Sequence, residues 1–342
     1  MALRAYALLT LTALLWSGNA IAGRLAVGHI SPMMLTALRW GLCLAASTLL
    51  AAPHLRRDWP VLRRHAPLLF AYGGIGFTAF NGLFYLAAHS TTALNIVILQ
   101  GAMPLFIFLI SFAAFGVRVS RGQAAGFLFT FAGVLVTASN GSLAALLHLQ
   151  LNRGDALILL SVLFYSVYAV ALRWKPQLHW LSFMAAISAG AFFTSMPIAA
   201  LEAGYGAGQW PDATGWAVVL YAAFFPGLIA QACFIAGTGM IGSNRAGLFI
   251  NLVPVFGALM SLLLLGETLR PYHVLGLGLV LAGLALAELR RARQSPPVTL
   301  PETPALPEDA LPEDALPGEA LPEDAAADLA AASDRPAAAP AR

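Results

Sequence analysis

Ten stretches of this chain stay largely apolar for about 18 residues or more, the length a helix needs to cross a hydrocarbon core roughly 30 Å thick. They run approximately over 5–27, 32–52, 67–88, 91–115, 122–139, 154–172, 181–201, 215–236, 245–266 and 271–289. Of the 342 residues, 59% are hydrophobic and 10% charged, whereas a soluble globule carries roughly a quarter charged. The expected fold class is therefore an all-α membrane protein with ten transmembrane helices.

Those helices come from a duplication. At a constant offset of 150, Pro104 falls on Pro254, Phe106 on Phe256, Leu109 on Leu259, Ser111 on Ser261, Gly116 on Gly266, Gly126 on Gly276 and Ala132-Gly133 on Ala282-Gly283. Each copy holds five spans, an odd number, so the second copy enters the membrane upside down relative to the first: two five-helix inverted repeats. The expected boundaries are 1–142 for the first repeat, 150–293 for the second and 294–342 for a tail. The N-terminus looks like a signal peptide, with Arg4, an apolar run and Ala20-Ile21-Ala22. We expect it to be retained, because span 6 echoes span 1 at an offset of 149 (Ser17 on Ser166, Arg24 on Arg173) and removal would leave one repeat a helix short.

Charge sets the orientation. Residues 1–293 carry seventeen Arg/Lys against six Asp/Glu, and residues 294–342 carry two against ten. With the N-terminus inside, thirteen of the helical region's cations lie on or near the inner side, and only Arg24, Arg153 and Arg270 near the outer side. Both termini are then cytoplasmic. Residues 53–66, PHLRRDWPVLRRHA, read as a basic loop touching anionic lipid. The tail, with ALPED repeated between Ala305 and Asp324, is expected to be disordered.

Polar residues inside spans mark candidate sites, since each must face protein or water. On span 1, Trp16, Asn19 and Gly23 share a face, and Asn19 either lines a cavity or bonds a neighbouring helix. Arg39 lies about 10 Å into span 2, and is read as a structural or gating tether in preference to a substrate contact. Span 3 places Phe77, Asn81 and Tyr85 on one face. In span 4, Gln100 sits four residues before Pro104, so the carbonyl that the proline leaves free belongs to Gln100; Asn251 stands three residues before Pro254 in span 9. Tyr165 and Tyr168 in span 6 take the places of Trp16 and Asn19, either as an aromatic wall or as core. Span 8 offers Pro226-Gly227 and Gln231. Gly126 and Gly133, with Gly276 and Gly283, predict close helix contacts. Glu267, just ahead of Pro271, is expected to cap or brace its turn.

Three segments resemble the drug/metabolite transporter superfamily, in its ten-helix EamA-type branch: LLWSGNAIAGRLA at 14–26, SPMMLTALRW at 31–40 and, most specifically, LGETLRPYHVLGLGLVLAGLALA at 265–287. The resemblance covers residues 1 to about 290. It implies a central cavity between two repeats and movement of small metabolites, often export of amino acids. One departure is Val117, where the second copy has Glu267 and the family often has glutamate in both.

The expected function is thus an inner-membrane secondary transporter or facilitator working by alternating access. Asn19, Asn81, Gln100, Tyr165, Gln231 and Asn251 would line its site, Trp16, Tyr85 and Tyr168 would form an aromatic wall, and Pro104 and Pro254 would act as hinges. With no carboxylate deep in a span, a neutral or zwitterionic substrate fits better than a free cation. Amino acids, including aromatic ones, are the leading class; purines, vitamins or drugs are the alternative. The expected partners are that small-molecule substrate and membrane lipid, with no nucleic acid. No cofactor or metal is expected, because the two cysteines lie within separate spans and the seven histidines are scattered along the chain. An intramembrane enzyme is disfavoured on the same ground. A non-transporting protein that recruits a partner through its acidic tail is the other rival.

Overall fold

The computed structural model describes residues 2–116, 121–142 and 152–294, and the described residues form helices joined by turns and short loops, without strands. Val117 and the acidic tail from 295 onward lie outside the described residues. Among the described residues, twelve helices make the ten passes: α1 (Ala2–Leu25), α2 (Pro32–Arg64), α3 (Ala66–Ala87), α4 (Ala93–Gln100), α5 (Met103–Phe115), α6 (Arg121–Ala138), α7 (Arg153–Ala171), α8 (Trp180–Gly204), α9 (Ala213–Ile241), α10 (Ser243–Ile250), α11 (Leu252–Leu265) and α12 (Pro271–Gln294). Among the described residues, seven stretches are long and apolar enough to span a membrane alone, with shorter apolar helices at Gly122–Ala138, Leu252–Leu265 and Pro271–Leu286.

Passes 4 and 9 are broken, not merely bent. α4 stops at Gln100, Gly101 and Ala102 turn, and α5 begins at Met103; α10 stops at Ile250 and α11 begins at Leu252. Pro104 and Pro254 each fall in the first turn after the break, where a missing amide hydrogen costs no intrahelical bond. The two are placed unequally, since Pro104 is exposed and Pro254 buried.

A second irregularity also occurs in both halves. α3 passes through a π-helical stretch at Gly74–Ala79, and α9 through another at Ala223–Ile229. Their starts are separated by 149 residues, the offset that relates spans 1 and 6. Wide π turns free backbone carbonyls and recur at functional sites.

The halves exchange their first helices. α1 packs on α9 and α11 of the second half, and α7 packs on α3 and α5 of the first. Hydroxyls on these two helices bond carbonyls at the irregular places of the opposite half. Ser17 donates to the carbonyl of Val253 (2.9 Å) and Ser166 to that of Met103 (3.3 Å), an equivalent pair by the repeat. Thr12 donates to Ala230 (3.2 Å) and Ser161 to Phe80 (2.8 Å) in the same way. The sequence positions of these hydroxyls are therefore set by carbonyls in the other repeat.

The small-residue stripes meet each other. A Cβ on Gly133 would come within 2.6 Å of the Gly276 carbonyl oxygen, and one on Gly283 would strike Thr130 and the Gly126 carbonyl. α6 and α12, equivalent helices of the two copies, thus approach with their backbones in contact, as small residues in membranes permit.

Candidate transport site and closure

A cluster assembles around Arg39. α2 carries the guanidinium into the bundle, where it is only 4% exposed. Its Nη1 donates to Asn19 Oδ1 on α1 (3.3 Å), to Asn81 Oδ1 on α3 (2.8 Å) and to the Tyr85 hydroxyl. Tyr85 in turn donates to Asn19 Oδ1 at 2.9 Å, and Asn81 fixes its own amide by donating to the Phe77 carbonyl at 2.7 Å. Every acceptor here is neutral. Among the described residues no carboxylate lies within 4.0 Å of Arg39, and its buried Nε has no partner. Nη2 points toward Gly227 in the π-helical stretch of α9, 3.8 Å from where a Cβ would sit.

Aromatic rings continue from this cation. The guanidinium lies 5.0 Å from the Trp40 ring centroid, Trp40 packs on Phe77 at 4.7 Å, and Phe77 packs on Tyr168 at 5.0 Å. Tyr165 closes the group, 5.4 Å from Tyr168. Phe77, Tyr165 and Tyr168 therefore stand together beside the polar cluster.

The remaining expected residues sit elsewhere. Trp16 donates its indole N–H to the carbonyl of Pro226 (3.3 Å) and packs on Phe234. Gln100 ends α4, Asn251 occupies the α10–α11 break, and Gln231 follows the π-helical stretch of α9; all three side chains are half-buried. No hydrogen bond among the described residues joins these amides to the Arg39 cluster.

At one end of the bundle, acids join the two halves. Asp155, Glu202, Asp212 and Glu267 all belong to the second half, and each binds a group of the first. Glu267 receives the backbone N–H groups of Ala93 (2.8 Å) and Leu94 (2.9 Å), so it caps α4 from a distance as well as lying ahead of α12. Glu202 receives those of Met33 (3.2 Å) and Met34 (3.3 Å) at the start of α2, where the N-cap residue Ser31 makes no side-chain cap bond. Asp155, fully buried, accepts from the Thr91 hydroxyl and from the Asn95 amide, and Asn95 Oδ1 lies 3.1 Å from His273 Nε2. Asp212 pairs with His29 at 2.6 Å. The Gly215 N–H and the His29 ring hold the Asp212 carboxyl below the usual range.

Sequence spacing hid these partners. The histidines are scattered along the chain, yet His29 meets a carboxylate 183 residues away, and His273 meets Asn95 from 178 residues away. Asn95 and Asp155 carry no periodic or motif signal. Glu267 did stand out, though its capped helix lies 173 residues earlier in the chain.

At the opposite, arginine-rich end the halves meet differently. Asp58 accepts from the His179 N–H (3.0 Å), the His54 and His179 rings stack 3.6 Å apart, and the Tyr72 hydroxyl donates to the Ala171 carbonyl (2.6 Å).

Comparison with known proteins agrees with this architecture. The profile of the EamA-like transporter family matches twice, over residues 3–139 and 152–289. The uncharacterized transporter YyaM of Bacillus subtilis is 26% identical over 270 residues, covering 76% of this chain and 86% of that protein. The uncharacterized inner membrane transporter YedA of Escherichia coli strain K12 is 27% identical over 285 residues, covering 81% and 88%. A solved structure described as a crystal structure of a protein superposes with a TM-score of 0.60 at 22% identity, covering 86% of this chain and all of that one; it supports the fold alone. With a doubled profile over most of its length and a helical bundle built from two matching halves, the chain belongs to the EamA-like transporter family of the drug/metabolite transporter superfamily and is an integral membrane transporter.

Proposed function

We propose that this transporter moves small carboxylate-bearing metabolites, amino acids and in particular aromatic ones, across the inner membrane by alternating access in the export direction. The observation that carries the reading is Arg39. A guanidinium within a span is costly unless it is paired, and this one has neutral acceptors along one edge and, among the described residues, no carboxylate at the other. A bound amino acid supplies that missing carboxylate, and charge-assisted bonds to Arg are the strongest recognition available at such a site. Trp40, Phe77, Tyr165 and Tyr168 stand beside the cation and give an aromatic side chain apolar faces. On this reading Arg39 anchors substrate as well as tethering α1, α2 and α3.

The breaks in passes 4 and 9 and the π-helical stretches in passes 3 and 8 supply the joints, with Pro104 and Pro254 beside two of them. Gln100, Gln231 and Asn251 offer half-buried amides along the route, and Trp16 braces the π-helical stretch of α9. The four carboxylates form a closure that opens at one end while the arginine-rich end shuts. That arginine-rich end is cytoplasmic by the charge rule, so the carboxylate closure faces outward. Residues 1–142 and 150–293 act as the two inverted repeats.

The test is uptake of a panel of radiolabelled amino acids into proteoliposomes, with and without a pH gradient. Saturable uptake that is lost in Gln100→Ala and Asn251→Ala supports a substrate route through the breaks, and indifference to the gradient makes the protein a facilitator. If no amino acid is taken up while purines or cationic drugs are, the proposed substrate class is wrong.

A further inference from the structure

A groove of about 430 Å3 lies between α2, α3 and α8, away from the Arg39 cluster. That volume falls within the range of small-ligand pockets, roughly 300–1,000 Å3. α2 has 33 residues and is therefore about 50 Å long, well beyond the ~30 Å hydrocarbon core. Its final third, after Pro53, accordingly reaches headgroup level. There Leu55, Trp59 and Leu62, spaced by four and three residues, turn one apolar face over the groove. Ala186, Ala189 and Gly190 of α8 leave its floor open because they have almost no side chain. Arg63 stands at the rim.

The lining has one charge, at one end. Arg63 is exposed and has no ion-pair partner among the described residues. Asp58, the nearby acid in the same segment, is engaged by the His179 N–H. A cation at the rim of a groove that is apolar apart from the Thr48 hydroxyl fits an amphipathic anion whose apolar part is long and whose charge is terminal. Trp59 beside it is the side chain expected at a membrane interface.

We propose that this groove seats an anionic phospholipid, with one acyl chain along Ala186, Ala189 and Gly190 and the phosphate on Arg63. The seat is a specific site, distinct from the general attraction of a basic loop to a charged surface, because the chain and the headgroup are held by different helices.

The test uses the purified full chain in detergent, with phosphatidylglycerol and phosphatidylcholine as probes and native mass spectrometry as the readout. Phosphatidylglycerol should be retained preferentially. Arg63→Gln should reduce its retention about fivefold, the loss expected for one interfacial cation, and should weaken phosphatidylcholine, whose phosphate charge is offset by choline, by less, so that the preference between the two lipids shrinks. Ala189→Trp should reduce both. A melting curve establishes that each variant is folded, and wild-type protein photolabelled through a reactive acyl chain should carry the label on the segment 185–190. Equal retention of the two lipids overturns the proposal, and so does label spread evenly to lipid-facing positions such as Leu263 and Leu264. Disulfide-linked pairs formed by Trp59→Cys would assign the groove to a second copy of the chain and overturn it as well.

Discussion

Neutralising Glu267 should open the carboxylate end of the bundle. Its two oxygens receive the N–H groups of Ala93 and Leu94 at 2.8 and 2.9 Å. Hydrogen bonds to charged groups contribute about 1.5–3 kcal/mol each in soluble proteins, whereas measured side-chain bonds in membranes average only ~0.6 kcal/mol. Glu267→Gln keeps one acceptor oxygen and loses the charge and one bond, so a loss of about 1–2 kcal/mol is the appropriate scale for this half-buried side chain. Since 1.4 kcal/mol is a factor of ten, the open fraction at that end should rise by roughly 5- to 30-fold. The assay is the rate of thiol labelling at Ala93→Cys, a fully buried position, in a Cys233→Ala background that leaves only buried Cys43. A labelling rate within twofold of the control, in a protein that melts normally, would refute the claim that this carboxylate holds the end closed.

Other perturbations follow from the same contacts. Gly283→Leu should destabilise the bundle by at least the ~1–3 kcal/mol of ordinary overpacking, because its Cβ would meet the backbone of Gly126 and Thr130; Gly278→Leu, which has open space, should leave the melting temperature unchanged. The His29–Asp212 brace is present above the ordinary aspartate range and is lost as pH falls through the lowered carboxyl pKa, below about 4. Amide exchange around Gly28–Ser31 should therefore accelerate only in that acid window, and in Asp212→Asn the window should disappear.

The fold was legible wherever it depended on composition and period. Ten apolar runs and an odd count per repeat are enough for inverted five-helix halves, and Pro104 and Pro254 mark the two interrupted passes. The glycine stripes announced close packing, but their partners were not readable, because α6 meets α12 across 150 positions. Neither was the exchange of α1 and α7 between halves: a serine such as Ser17 looks like any small polar residue until the Val253 carbonyl stands beside it. The π-helical stretches escaped notice because Gly74–Ala79 and Ala223–Ile229 share almost no residues, and π turns have no composition of their own.

At the candidate site, helical spacing correctly grouped Phe77, Asn81 and Tyr85 on one face, and depth singled out Arg39. What joins them is hydrogen bonding among three helices, for which a one-dimensional pattern carries no term. The carboxylate closure shows the same limit. Asp155, Glu202 and Asp212 look like ordinary helix-end or loop acids, and their significance comes from donors 60 to 183 residues away.

The central claim is that Arg39 recognises a carboxylate, and uptake of phenylalanine against phenylalaninamide into proteoliposomes tests it most directly. Wild-type protein should favour the acid by about 10- to 100-fold, the worth of one charge-assisted interaction, and Arg39→Lys should keep part of that preference. Equal uptake of acid and amide by the wild-type protein would contradict the account, whatever the behaviour of the variant.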